Sequence, residues 1–346
     1  MLKKLACSIA TAGLVLGVTS SAGAVSPAVN TSPNALKISS YNVHKATTTP
    51  EAGVPSWGER RGRLANYLAV SGADVVSLQE TVGWDVGGVT HTQDIANLAA
   101  QKGYTYVEPA LDECVRPRDA AGQLAGANPC DNTTSILFNS ATTSIMPTSN
   151  GRASSGEQLT GSITDTGSAN ENRRSLSWVY LTKSGRNFFV VDVHTDSDKS
   201  AAAEAARVRL ANALPAWVDS MNAARGVNLP VFITGDLNSY KLRQPQGMQQ
   251  ILANAGFADP YYTAPTKIGA RYATVNVTPA TKKFNGFPPK PYKYSKKKEP
   301  SRIDYVLYRG ATPMVYETVV KLNPNGTFDE NYRLSDHNAV EATFTW

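Results

Sequence analysis

Two spacings of apolar residues alternate along this 346-residue chain. Short runs rich in β-branched and aromatic residues predict strands at Leu36–Tyr41, Val75–Leu78, Ser135–Phe138, Ser177–Leu181, Phe188–Val193, Val231–Thr234, Asp304–Tyr308 and Ala339–Phe344. Between them, helical spacing predicts helices at Arg60–Val70, Gln93–Ala100, Ala201–Met221 and Met248–Ala255. In the third helix Leu210, Leu214, Trp217, Val218 and Met221 form one apolar stripe, and Pro215 is expected to end or kink it. Interleaved strands and helices predict an α/β fold of mixed sheets covered by helices. Two long polar stretches interrupt the rhythm, residues 140–172 and 262–301. Stretches of that length inside a compact domain are usually functional.

The N-terminal end follows a different pattern. Met1-Leu2-Lys3-Lys4 is basic, Leu5 to Val18 is apolar but short for a bilayer span, and Ser20-Ser21-Ala22-Gly23-Ala24 offers a small-residue cleavage site. Residues 1–24 therefore read as a signal peptide cut near Ala24, residues 25–34 as a loose mature N-terminus, and 35–346 as one catalytic domain. The protein is expected to be exported, without a stable membrane anchor, and monomeric. Export would remove Cys7 and leave Cys114 and Cys130, an even pair for an oxidising compartment. A bridge between them would close a Gly/Ala/Pro-containing loop and stabilise the fold by roughly 3 kcal/mol; two free thiols are the alternative.

Composition excludes disorder, with 41% apolar and 18% charged residues. The net charge of +6 is modest and names no partner by itself. Its distribution adds more, because Lys290, Lys293, Lys296, Lys297 and Lys298 crowd together with Tyr292 and Tyr294 between them. Such a segment suits a polyanion, with lysines on phosphates and rings for stacking, and equally suits a solvated loop.

Polar residues at the ends of the predicted strands carry the candidate chemistry. Asn42 follows the first strand, Glu80 the second, His194 the run Phe188–Val193, and Asp236 with Asn238 the run Val231–Thr234. Asp304 opens its own strand, and Asp336 with His337 precedes the last. Ligands collect at one edge of such sheets, so these distant residues are expected to converge. Each has a plainer reading. Asp236 and Asn238 fit an Asx turn, Asp304 an ion pair with Arg302 or Arg309, and His194 and Glu80 ordinary strand ends. His44 and His91 read as non-catalytic, although His44 stands close enough to Asn42 to frame the site, and Tyr104 and Tyr106 read as core.

Taken in order, Tyr41-Asn42-Val43-His44, Leu78-Gln79-Glu80-Thr81, Val193-His194, Gly235-Asp236-Leu237-Asn238, Ser301-Arg302-Ile303-Asp304-Tyr305 and Leu334-Ser335-Asp336-His337 resemble the endonuclease/exonuclease/phosphatase superfamily, the deoxyribonuclease I-like phosphoesterases. The resemblance runs from about Leu36 to Trp346. It implies a four-layer sandwich of two packed mixed β-sheets flanked by helices. It also implies a divalent-metal-dependent hydrolase using Mg²⁺, with Mn²⁺ or Ca²⁺ as substitutes, in which Asn42, Glu80 and Asp336 form the metal side. Asp236 and Asn238 would face the attacking water or the phosphate. His337 paired with Asp304 would serve the phosphate, and His194 would donate to it or to the leaving oxygen. Asn132 and Arg174 are implied as further phosphate contacts. The expected substrate is nucleic acid. A sphingomyelinase-type or other small-phosphoester hydrolase is the alternative, although no aromatic-rich tip for membrane insertion stands out. A phosphoinositide phosphatase fits less well, because Arg302-Ile303-Asp304-Tyr305 lacks the Cys-Asp-Arg pattern. A non-catalytic binding protein would not need the full polar set.

Overall fold

The computed structural model describes residues 34–51, 53–81, 89–107, 134–147, 176–239, 247–276 and 302–346. The candidate signal peptide, Cys114, Cys130, Asn132, Arg174 and the lysine–tyrosine segment lie outside the described residues. The predicted strands and helices all form, most with bounds extended by one to three residues.

The elements run β1 (Ala35–Asn42), α1 (Trp57–Ser71), β2 (Val75–Gln79), α2 (His91–Ala100), β3 (Tyr104–Val107), β4 (Thr134–Asn139) and β5 (Ser144–Ile145). They continue through β6 (Leu176–Lys183), β7 (Arg186–His194), α3 (Ala201–Ala224), β8 (Val231–Asp236), α4 (Met248–Asn254) and α5 (Pro260–Thr263). The last four are β9 (Thr266–Ile268), β10 (Asp304–Arg309), β11 (Thr312–Thr318) and β12 (Val340–Thr345). They build a seven-stranded sheet, β3-β4-β2-β1-β12-β11-β9, and a five-stranded sheet, β10-β8-β7-β6-β5. Both sheets are mixed. Within them β1 pairs parallel to β2 and β7 parallel to β8, while β12 and β10 run antiparallel to their neighbours β1 and β8.

Strand direction explains why the site residues meet. The C-terminal ends of β1, β2, β7 and β8 and the N-terminal ends of β10 and β12 share one edge of the sandwich, since Asp304 and His194 both stand opposite Asp236 and Ser40 stands opposite Val340. Inner faces follow the period of two along each strand. Leu36, Ile38, Val75, Val190, Phe232, Val306 and Phe344 join a dry core between the sheets. Toward the shared edge the same faces change character: Leu36-Ile38 leads to Ser40 and Asn42, Phe188-Val190 to Asp192 and His194, and Phe232 to Thr234 and Asp236. The outer faces pack on helices. Tyr41, Val76 and Leu78 meet Trp57, Leu64 and Tyr67 of α1 and Ile95 of α2, and Phe189, Val191 and Ile233 meet Leu210, Leu214 and Val218 of α3. Among the described residues, no helix is long and apolar enough to cross a membrane.

Pro215 does not end α3, which continues to Ala224. The missing amide costs one hydrogen bond, whereas Leu210, Leu214 and Val218 on either side of it are buried against the sheet. Packing outweighs the proline. Two polar stretches also contain more structure than their sequence suggests. β5 lies in the first, and β9 together with the 269–276 segment lies in the second.

At the end of the sandwich opposite the candidate site, Lys183 and Asp74 form a buried ion pair 2.6 Å long. Asp74 also accepts the Lys37 amide at 2.9 Å and the Thr142 hydroxyl at 2.6 Å. Substituting Lys183→Met leaves that carboxylate buried without its cation. The variant should lose about 3–5 kcal/mol of stability in urea unfolding; a loss below 1 kcal/mol would show that Asp74 is satisfied without the lysine.

Candidate active site

The site is assembled from both sheets. At the end of β1, Asn42 uses one amide nitrogen to hold Glu80 Oε1 at 3.0 Å and Asp236 Oδ2 at 3.1 Å, so a single side chain links the carboxylates of the two sheets. Its Oδ1 accepts the His44 amide at 3.0 Å. The Lys45 amide reaches Glu80 Oε2 at 3.0 Å. Asp336, in the segment before β12, lies 3.4 Å from His44 Nδ1, and Glu80 lies 3.9 Å from the same nitrogen. His44 therefore stands between the Glu80 and Asp336 carboxylates.

Across from them, Asp236 lies between two imidazoles. His194 Nε2 is 3.7 Å and His337 Nε2 3.8 Å from Asp236 Oδ2. His337 turns its Nδ1 to both oxygens of Asp304 at 3.0 Å. Asp304 thus pairs with His337 and with neither arginine, because Arg302 pairs with Asp259 and Arg309 with Asp219. The Asx turn also forms, the Asn238 amide donating to Asp236 Oδ1 at 2.9 Å while Asn238 Nδ2 reaches the Thr195 carbonyl at 2.9 Å. Here the turn serves the site, since it fixes one Asp236 oxygen and leaves the other facing the histidines.

Local backbone geometry is unusual where it matters. His44, Glu80 and Asn238 all have positive φ, 55°, 61° and 42°, a conformation that costs non-glycine residues free energy and concentrates at functional sites. Gly235, at φ 143°, is required for a different reason: a Cβ there would sit 1.8 Å from the Val193 carbonyl oxygen, so only glycine lets β7 and β8 bring His194 beside Asp236.

Electrostatics divide the site in two. Glu80 and Asp336 are each 23% exposed at the side chain, whereas Asp236 and Asp304 are closed off. Burial alone would raise Glu80, but the charges of His194 and His44 outweigh it and hold the carboxyl below its ordinary range. Asp336 is likewise raised by burial and lowered further by the His44 hydrogen bond and the His337 charge, ending well below the usual range. Asp236 goes the other way, to about 7, because burial and the Asp304 charge outweigh His337 and its hydrogen bonds. For His337, burial opposes protonation, but Asp304 overcomes it and the imidazole is held charged well above its usual range.

This donor set fits a hard divalent cation on the Glu80–Asp336 side. Two ionised, partly exposed oxygen donors suit an ion that keeps several waters. Asn42 turns nitrogen, not oxygen, toward the carboxylates, so it holds their positions. Asp236, Asp304 and His337 also lie within metal-ligand distance of one another. In this structure His337 Nδ1 is hydrogen-bonded to both oxygens of Asp304, so the group also reads as an acid–histidine pair.

Several further residues support the site. Asp192 is fully buried between the sheets, accepts from Gln79 Nε2 at 2.7 Å and Thr234 Oγ1 at 3.2 Å, and burial pushes its carboxyl well above the ordinary range. Its signal was an acid at an inward position of an apolar strand. Thr274 Oγ1 accepts the amides of Ile303 and Asp304 at 3.0 and 3.3 Å, and Asn276 Nδ2 donates to the Ser335 and His337 carbonyls, both at 3.0 Å. These two residues clamp the Asp304–His337 pair from within the 262–301 stretch. His91 is away from this centre, packed on Trp57 at 4.2 Å, Tyr104 gives its hydroxyl to the Ala73 carbonyl at 2.8 Å, and Tyr106 OH lies 3.0 Å from Ser135 Oγ.

The fold is shared with proteins of different substrates. A mannosyl-6-phosphatase from Bacteroides thetaiotaomicron superposes with a TM-score of 0.61 at 18% identity, covering 90% of this chain and 100% of that one. TDP2 of D. rerio, complexed with a single-strand DNA product, gives 0.53 at 19%, covering 90% and 99%. Sphingomyelinase C from Streptomyces griseocarneus gives 0.55 at 21%, covering 89% and 99%. No curated protein matches the chain in sequence. Residues 39–337 match the Endonuclease/Exonuclease/phosphatase family, and with the two-sheet sandwich and the convergent site on the page, the chain belongs to that family of phosphoester hydrolases.

Proposed function

We propose that the protein is an exported, divalent-metal-dependent phosphodiesterase that hydrolyses DNA or RNA. The observation that carries the reaction type is Asp236 flanked by His194 and His337 at 3.7 and 3.8 Å and tied through Asn42 to Glu80. A bound Mg²⁺ would supply positive charge against the oxygens of the phosphate and the leaving group. Glu80 and Asp336 would hold it, steadied by Asn42. Asp236, with its carboxyl raised toward neutrality, takes a proton from the attacking water. Asn238 keeps that carboxylate aimed through its amide. His337, kept charged by Asp304, donates to a phosphate oxygen, and His194 donates to the phosphate or to the departing oxygen from the other side of Asp236. Nucleic acid is favoured by the Lys290–Lys298 segment with its interleaved tyrosines, a composition suited to a phosphate backbone. The single-strand DNA product in the TDP2 neighbour agrees with this reading. Export rests on residues 1–24, and a Cys114–Cys130 bridge would accompany it.

Protein beginning at Val25, assayed against plasmid DNA, RNA, sphingomyelin and a sugar phosphomonoester, should cleave DNA or RNA with Mg²⁺ or Mn²⁺ and stop in EDTA. Sphingomyelin or the monoester as the favoured substrate would replace nucleic acid and keep the chemistry; no metal-dependent cleavage of any of them would sink the enzyme reading. His194→Ala and His337→Ala should each lower turnover by about 10²-fold or more while circular dichroism stays unchanged.

A second expectation concerns the metal-free protein. Asp236 keeps its proton in the folded state up to about pH 7, whereas its ordinary value is 3.8. Its contribution to stability is therefore fully present below 3.8 and is lost as pH rises through about 7. Measured by urea unfolding in EDTA, the wild type should fall relative to Asp236→Asn across that window by on the order of 1 kcal/mol per pH unit. A pH-independent difference between the two proteins would contradict the raised carboxyl.

A further inference from the structure

Arg60, on the inner face of α1, is fully buried, and its guanidinium donates to backbone carbonyls. Nε donates to the Pro55 carbonyl at 3.0 Å. Nη1 donates to Val43 and, at 3.3 Å, to Leu334. Nη2 donates to His44 and Lys45, both at 2.7 Å. A guanidinium has five N–H donors in a fixed fork, so its capacity is filled. The Trp57 ring lies against it, 4.9 Å from the guanidinium carbon.

The identity of those carbonyls gives the arrangement its meaning. Val43, His44 and Lys45 are consecutive, and successive carbonyls of an extended chain point in opposite directions. The positive φ of His44 breaks that alternation and lets all three converge on one cation. The amides of His44 and Lys45 then serve the other side, donating to Asn42 Oδ1 and Glu80 Oε2 at 3.0 Å each. Leu334, the fourth partner, precedes Ser335-Asp336-His337, and its own amide is held by the Tyr41 hydroxyl at 3.2 Å. One side chain thus holds both the backbone whose amide donates to Glu80 and, across a sequence separation of 274 residues, the backbone that leads into Asp336.

We infer that Arg60 is a positioning residue that preorganises the divided cation site, fixing the Val43–Lys45 and Leu334–His337 segments so that Glu80 and Asp336 face one another before any ion arrives. The inference rests on the reading of those two carboxylates as the cation-holding pair. Lysine cannot substitute, because an ammonium offers three donors from one point and cannot span five carbonyls.

The test is Mn²⁺ binding by titration calorimetry on wild type, Arg60→Lys and Lys183→Met, with hydrogen exchange on the same proteins without metal. Arg60→Lys should weaken Mn²⁺ binding by about 10- to 100-fold, the range for partners that orient metal ligands. Lys183→Met, destabilised at the opposite end, should bind like wild type. In metal-free wild type the amides of His44, Lys45 and Leu334 should already be protected, and Arg60→Lys should speed exchange in both segments together. Wild-type affinity in Arg60→Lys, or equal weakening in Lys183→Met, overturns the inference. If Arg60→Lys does not fold, the wild-type exchange decides: protection of the two segments before metal supports the tether, and protection gained only with Mn²⁺ overturns it. If the wild type takes up no Mn²⁺ at all, the cation reading fails separately, and the exchange experiment still reports on the tether.

Discussion

The Asn42 side chain bridges the two sheets at the point where their polar ends meet. Its amide holds Glu80 from the seven-stranded sheet and Asp236 from the five-stranded sheet. Buried carboxylates are costly unless they are paired or hydrogen-bonded. Here the partners for each come in part from the facing sheet: Asp236 needs Asn42, and Asp304 needs His337, which follows from the strand β12 side. Sandwich and site are therefore a single construction. Sliding one sheet against the other would leave Asp236 with less compensation for its burial.

Between the dry core and this row lies a layer of hydroxyls, one amide and one carboxyl. Gln79 donates to Ser40 at 3.3 Å and to Asp192 at 2.7 Å, the Thr234 and Ser77 hydroxyls share a hydrogen bond of 2.7 Å, and Thr134 donates to Ser177 at 2.8 Å. Such a network has directional bonds where hydrocarbon would offer none, so it fixes the register of the inner faces directly beneath the candidate site. The left-handed backbone at His44, Glu80 and Asn238 costs on the order of 1–3 kcal/mol at each position. The His44 amide donating to Asn42 and its carbonyl accepting from Arg60, the Lys45 amide donating to Glu80, and the Asn238 amide donating to Asp236 hold these three positions in turn.

Much of this was legible in the sequence. The strands of both inner layers announced themselves by alternation and β-branched content, and the polar residue at each strand end lay where chain direction would bring it to one edge. Asp236, His194, Asp304 and His337 were readable for that reason. β11 was not, because Pro313 argues against a strand; the pairing with β12 shifts register between Pro313 and Val315, so the proline is accommodated at an irregularity. His44 reads from sequence as a non-catalytic residue that frames the site, and its place between Glu80 and Asp336 depends on a positive φ that no side-chain pattern encodes. Arg60 carries a subtler signal: a cation on the same helical stripe as Trp57, Leu64 and Tyr67 must be buried with them, and so must find acceptors. Asp192 had the same kind of signal in a strand.

On the proposed reading, a cation sits on the Glu80–Asp336 side while Asp236, Asp304 and His337 remain a proton-handling group. Anomalous diffraction from crystals soaked in Mn²⁺ tests it most directly. One strong peak is expected within coordination distance of Glu80 and Asp336, with His337 still hydrogen-bonded to Asp304. A peak instead among Asp236, Asp304 and His337, with that pair broken, would contradict it.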